Sequence, residues 1–331
     1  TQRKWEYQMN FFLNYAQTFG KHDIGGTIVF EQGEKGYTNI TSTAQSPITA
    51  LDQMHVYPTD RNFRYTNGLE GIDARQSIIG RFNYAYASKY LIEGSFRYDG
   101  AALFPEQKRF GFFPSVSAAW RISEEEFFAG VKDKISDLKL RFAYGATGNY
   151  LDVNGDAINP FSFSEKYTTT TGFIFGDRYY NGLAYGSTPN PNITWTRSES
   201  YNLGLDYGFI NNKLNGSLEV FKRSESNILG PRTVLLPDTY GRSLAPENYA
   251  ARSYKGGEIS VNWNDHIGEV AYGISGNLGY AVDQWDIFDE PAAYAEGGLE
   301  HFRSKIGQPA NMLFGFNSLG LVRTQEQLDQ L

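Results

Sequence analysis

The sequence predicts an all-β chain, an antiparallel segment of a transmembrane β-barrel, on three observations. Apolar and polar residues alternate with period two through about ten stretches of the 331-residue chain. The connections between those stretches alternate between short and long. The residues interleaved with the apolar rows include ionised groups of both signs, which a dry core does not hold unpaired.

Composition agrees. There are 23 Tyr, 24 Phe and 35 Gly against 3 Met, and aromatics suit a pleated, half-buried surface while Gly suits turns and kinks. Mean hydropathy is −0.46, and no apolar run approaches the roughly 20 residues of a spanning helix. A membrane barrel keeps such a low average because its strands alternate and its loops are polar. A net charge of −7 argues against a nucleic-acid footprint. The absence of Cys removes disulfides, thiolate metal sites and cysteine nucleophiles together.

The strands follow in order. Trp5, Tyr7, Met9, Phe11, Leu13 and Tyr15 alternate with mostly polar residues, and Ile24, Ile28 and Phe30 return after "FGKHD". Ile78, Phe82, Tyr84 and Tyr86 lead through "ASK" to Ile92, Phe96 and Tyr98. Val116, Ala118, Trp120 and Ile122 precede Leu138, Leu140, Phe142 and Tyr144. Tyr201, Leu203, Leu205, Tyr207 and Phe209 turn at "INNK" into Leu214, Leu218 and Val220. Ile259, Val261 and Trp263 turn at "NDHIG" into Val270, Tyr272, Ile274, Leu278 and Tyr280.

Short links are expected near 19–22, 87–89, 210–212 and 264–268, with a medium one at 123–136. Long ones are expected at 34–75, 100–111, 147–196, 226–252 and 283–310. Trimmed turns at one rim and elaborate loops at the other are the plan of an outer-membrane barrel, periplasmic below and extracellular above. The polar rows carry Arg81, Asn83, Glu93, Arg97, Ser117, Arg121, Lys139, Arg141, Asn202, Asp206, Ser217, Glu219, Asn262, Ser275 and Asn277. They suit a hydrated or plugged lumen, with Arg81, Arg97, Arg141 and Glu219 as its charged wall. A soluble sheet with one solvated face is the plainer reading of any single hairpin; ten strands with this loop order favour the membrane.

The stretch "RFGFFPSVSAAWRISEEEFF" at 109–128 then makes sense. Phe110, Phe112 and Phe113 are expected at the outer interface, and Pro114 at the strand opening, where a donor can be spared. Val116, Ala118, Trp120 and Ile122 should face lipid, Ser117, Ala119 and Arg121 the lumen, and the three glutamates water at the short-turn rim.

At this point a resemblance becomes specific. "YLIEGSFRYDGAALFPEQKRFGFFPSVSAAWRISEEEFF" followed by "LKLRFAYGATGN" resembles the SusC/RagA family of TonB-dependent outer-membrane transporters. So do "TPNPNITWTRSESYNLGLDYGFINNKLNGSLEVFKR", "SYKGGEISVNW" and "GQPANMLFGFNSLGLVRTQEQLDQL". The match runs over most of 76–331; residues 1–75 share the pattern alone. The resemblance implies a 22-stranded barrel in the bacterial outer membrane, occluded by a plug. It also implies a SusD-like surface lipoprotein as lid and the inner-membrane TonB complex as energy source. On that plan residues 1–331 form part of one barrel domain, central to late. The plug, the TonB-contacting segment, the early strands and the final strands are expected outside this chain, and neither end reads as a natural terminus.

Chemistry beyond a wall is weakly signalled. His22, His55, His266 and His301 lie far apart, so no metal site is expected. "DVNGDAIN" has a partial calcium-loop spacing, but Gly155 comes one place early and Phe163 stands where a bidentate acid belongs. The carboxylates Glu124–Glu126, Asp286, Asp289 and Glu290 lack a signature of opposed glycosidase geometry, and no nucleophile elbow occurs. Neither an enzyme nor a cofactor is expected.

Loop 147–196 is rich in aromatics, with Tyr179, Tyr180 and Trp195 the candidates for contact with substrate. Such rings could stack on a sugar or peptide, or the loop could fold over its own apolar groups or meet the lid; "YTTTTGFIFG" could form a small hairpin. The function expected is the barrel wall of an active importer of oligosaccharides or peptides, in contact with outer-membrane lipid and without nucleic acid. A passive porin-like pore or adhesin, and a soluble carbohydrate-binding β domain, are the rivals.

Overall fold

The computed structural model describes residues 2–45, 64–233 and 236–310, together with 312, 313, 315 and 325. Twelve strands form among them. They are β1 (Gln2–Phe19), β2 (His22–Ala44), β3 (Arg64–Tyr86), β4 (Tyr90–Ala101), β5 (Phe110–Arg121) and β6 (Ile135–Asn149). Then come β7 (Tyr167–Phe175), β8 (Arg178–Tyr185), β9 (Thr196–Phe209), β10 (Leu214–Gly230), β11 (Glu247–Ile267) and β12 (Val270–Ile287). Ten make one sheet in chain order, with β6 beside β9, while β7 and β8 form a separate hairpin. Every pairing is antiparallel. Among the described residues the sheet is open: β1 pairs with β2 alone, and β12 pairs with β11, its far edge meeting only isolated bridges from Gln284 and Trp285 to Pro309 and Ile306. No helix among the described residues is long and apolar enough to cross a membrane.

The short-turn rim is built from tight links. Gly20 and Lys21 join β1 to β2, with Gly20 at φ +60, a left-handed value that costs Gly little. Ala87 and Ser88 take positive φ before Lys89, as do Ile210, Asn211 and Asn212 before Lys213. The link between β11 and β12 is Gly268–Glu269, so the strand continues through most of "NDHIG", where the sequence suggests a turn. Between β5 and β6 lie 3-10 turns at Ile122–Glu124 and Glu126–Val131.

The opposite rim differs from expectation most at 34–75. There β2 and β3 run paired in register from His22↔Tyr86 to Ala44↔Arg64, where a loop is expected. Residues 33–44 are Thr-, Ile- and Tyr-bearing but mostly polar, so a strand leaving the membrane loses the apolar alternation and keeps only its hydrogen bonds. Aromatic rings cover the glycines of this extension: Trp5 lies over Gly36 and Tyr37 over Gly71. His55 and residues 46–63 lie outside the described residues. Likewise β10 extends to Gly230 and β12 to Ile287, shortening the loops expected at 226–252 and 283–310.

Register fixes the two faces, because residues directly opposite in an antiparallel pair point to the same side. One row runs through Phe19, His22, Tyr86, Tyr90, Trp120, Leu140, Leu205, Leu218, Ile259 and Leu278, crossing all ten strands. The next row on that face holds Ile24, Tyr84, Ile92, Ala118, Phe142, Leu203, Val220, Gly257 and Tyr280. Between them, on the opposite face, lies the row Asp23, Ala85, Leu91, Ala119, Arg141, Gly204, Glu219 and Glu258. Many large apolar side chains of the first face stand open, Leu278 at 73% and Val220 at 57% exposure. An apolar band across ten strands needs lipid, not water, beside it.

The 109–128 stretch departs from expectation in four places. Phe110 and Phe112 stand on the apolar face, but Phe113 points the other way and is buried. Its ring packs against Trp195 and fills the space over Gly111 and Gly148. Pro114 sits inside β5, opposite Phe96, where pairing to β6 has not yet begun, so its missing N–H costs no ladder bond. The strand ends at Arg121, placing Ile122 in the turn.

Nor are all three glutamates left to water. The Glu125 carboxylate accepts hydrogen bonds from the Tyr90 hydroxyl at 2.5 Å, Trp120 Nε1 at 3.1 Å and Lys89 Nζ at 3.2 Å. Those donors, Tyr90 first, hold its carboxyl below the usual carboxylate range. Glu125 thus ties down the aromatic girdle at the short-turn rim.

Candidate functional site: the charged inner wall

The face opposite the apolar band is polar and internally paired. Arg141 on β6 sits 2.9 Å from Asp206 on β9 and 3.4 Å from Glu219 on β10. Asn202 Nδ2 donates to Glu219 at 2.9 Å, and Lys139 stands 3.7 Å from Asp206. Arg81 on β3 pairs with Glu93 on β4 at 2.5 Å. Arg97 pairs with Asp99, two residues along the same strand, at 2.9 Å. Of the four wall residues suggested by sequence, the structure brings Arg141 and Glu219 together and gives Arg81 and Arg97 separate partners. These side chains keep between a quarter and two thirds of their surface exposed. Half-solvated pairs of this kind keep water on the carboxylates and guanidinium groups while cancelling most net charge, so the wall is wet but not strongly attractive to either sign.

A second cluster lies higher on the same face, where the sequence marks no site. Tyr254 on β11 lies between two guanidinium groups, each 4.9 Å from its ring centroid, Arg223 from β10 and Arg252 from its own strand. Each arginine is held by its own carboxylate, Glu225 and Asp283 respectively. The spacing of Arg223 and Glu225, two apart and therefore on one strand face, was the readable signal.

Above the wall the long loops form their own core. Ala101, Leu103, Phe104, Ile158, Ile193 and Leu229 are buried together, with Tyr150, Phe163 and Trp195 packed against them. Trp195 meets Phe104 at 5.0 Å, Phe113 at 5.6 Å and Tyr150 at 6.1 Å, and donates its Nε1–H to the Arg109 carbonyl at 3.0 Å. Its ring is therefore engaged in packing, apart from the other two aromatic candidates. Tyr179 and Tyr180 stand exposed on successive positions of β8, which point to opposite faces of the hairpin. Arg242 secures the hairpin base: it bonds the Gly186 and Ser187 carbonyls at 3.0 and 3.1 Å, pairs with Glu165 and covers the Tyr185 ring. In the 152–156 turn, Asp152 accepts the backbone N–H of Asn154 and of Asp156, an Asx-type turn.

A lipid-facing apolar band, a charged inner wall and loops gathered at one rim define a stretch of outer-membrane β-barrel wall. The family model for "TonB dependent receptor-like, beta-barrel" matches residues 1–309, and the chain belongs to that family. Its place is the outer membrane, as an integral component, and it is similar to receptors of the SusC and RagA type. TonB-dependent receptor SusC of Bacteroides thetaiotaomicron is 25% identical over 335 residues, covering 96% of this chain and 32% of SusC. TonB-dependent receptor P3 of Formosa agariphila is 29% identical over 255 residues, 76% of this chain and 24% of P3. The structure of the RagAB peptide transporter superposes with a TM-score of 0.75 at 21% identity, over 87% of this chain and 31% of that one. The chain thus spans about a third or less of the length of these relatives.

Proposed function

We propose that the chain supplies part of the barrel wall and extracellular vestibule of a TonB-dependent active importer of oligosaccharides or peptides. The observation that carries this reading is the half-solvated, ion-paired inner wall behind an apolar band that crosses ten strands. On this reading residues 1–331 belong to one barrel domain, and further strands continue the sheet beyond β1 and β12. Each of those edges is 18 residues long, and in lipid a row of unpaired backbone groups requires a neighbour. Solute passes along Arg81, Arg97, Arg141 and Glu219 once a plug, carried by other segments, is remodelled by TonB. A SusD-like lipoprotein closes over the loop rim, where Tyr179 and Tyr180 present open rings to a solute or to the lid. The residues act by binding and by excluding lipid, not by catalysis.

The test is to purify the native protein from outer membranes in mild detergent and weigh every polypeptide that accompanies it. A species well above 37.3 kDa with a co-purifying lipoprotein supports the lidded importer. A lone 37.3 kDa product contradicts it and favours a passive pore. Arg141→Gln should change uptake by less than about fivefold and barrel stability by no more than about 1 kcal/mol, because the pair is partly screened by water. Complete loss of the folded barrel in that variant would contradict a hydrated wall.

A further inference from the structure

The apolar face carries one feature that the wall does not use. Lys222 on β10 and Lys255 on β11 are direct cross-strand partners. Their row continues to Tyr201 and Tyr144 on one side and Val282 on the other, so both lysines point outward with the apolar band. Both are exposed, and neither has a hydrogen bond or ion pair among the described residues. Like charges directly opposite on neighbouring strands repel. Elsewhere in the sheet Arg81, Arg97, Arg141 and Arg252 meet carboxylates; here the two cations face the membrane together.

Their height matters. Lys222 lies eight residues above Leu214, where β10 leaves the short-turn rim. Eight residues of a strand tilted near 45° climb about 20 Å, against an apolar band about 25 Å tall. The lysines therefore reach the outer boundary of that band, level with the Tyr144–Tyr201 pair, whose rings lie 5.0 Å apart. Below them the same face offers Leu203, Val220 and Tyr280. Two uncompensated ammonium groups over an apolar strip match a lipid with a phosphorylated headgroup and acyl chains. Free phosphate would use the charge and leave the strip unused.

We propose that Lys222 and Lys255 form a binding site for the phosphate of an outer-leaflet lipid, whose chains lie along Leu203, Val220 and Tyr280. The site depends on the outward orientation of this row and not on transport.

The test uses the full-length protein reconstituted in phosphatidylcholine vesicles with a trace of spin-labelled lipid A, phosphorylated or dephosphorylated. The wild type should favour the phosphorylated form by about tenfold to thirtyfold, from two lysines at an interface. Lys222→Gln/Lys255→Gln should abolish that preference and Lys222→Arg/Lys255→Arg should keep it. Lys213→Gln should leave it intact, since Lys213 pairs with Asp265 at the other rim. Inorganic phosphate outside the vesicles should not displace the lipid. Absence of preference in the wild type, retention of it in the double Gln variant, or displacement by inorganic phosphate would each overturn the proposal. If the double Gln variant does not fold, the wild-type comparison of the two lipids decides.

Discussion

Trp195→Ala should open the loop core and leave the sheet standing. Three rings and the Arg109 carbonyl converge on that indole, at the junction of the loops after β4 and β6 with the start of β9. Truncating a large buried aromatic costs about 3–5 kcal/mol, and the low end applies because Trp195 is half-buried. The loss should fall on loop order. Limited proteolysis of the full-length protein in membranes should then cut within 150–195 far faster than in the wild type, while the heat-modifiable barrel band persists. Unchanged cutting would mean that the loops are held by something other than this core.

Leu205→Arg should destabilise the barrel itself. Leu205 stands on β9 within the apolar row, flanked by Leu140 and Leu218 on the neighbouring strands. An arginine on the lipid face near the midplane costs about 2–4 kcal/mol. Ser217→Arg is the matched control: Ser217 faces inward opposite Asp206, where a cation finds water and a carboxylate, and it should cost no more than about 1 kcal/mol. Denaturant unfolding of the two variants in lipid vesicles separates them. Equal costs would remove the distinction between the faces.

The ten main-sheet strands and the rim to which each turn belongs were legible because, at membrane height, one face must be apolar and the other is wet. Period two then shows directly in the residues, as in Leu203, Leu205 and Tyr207 against Asn202, Asp206 and Gly208. Beyond the lipid both faces meet water and the signal vanishes, which is why the paired extension of β2 and β3 reads as loop. Side-chain partners were less legible. Arg141 and Glu219 lie on different strands, and only register brings them together. Yet one pattern was within reach: Asp73 and Arg75, Arg97 and Asp99, Arg197 and Glu199, and Arg223 and Glu225 are each two apart on one strand and each ion-paired. Phe113 and Trp195 show the other limit. Phe113, at a strand end, reads as girdle and Trp195, in a loop, as a substrate contact, and only the packing of distant loops shows both to be core.

The alternation of the two faces is tested most directly on β10. The chain contains no Cys, so single cysteines at Ser217, Leu218, Glu219 and Val220 report on one position each within it. In the full-length protein in membranes, a small water-soluble thiol reagent should label positions 217 and 219, while a lipid-phase quencher should reach probes at 218 and 220. Equal aqueous labelling at all four positions, with no quenching from the lipid phase, would contradict a membrane-spanning wall.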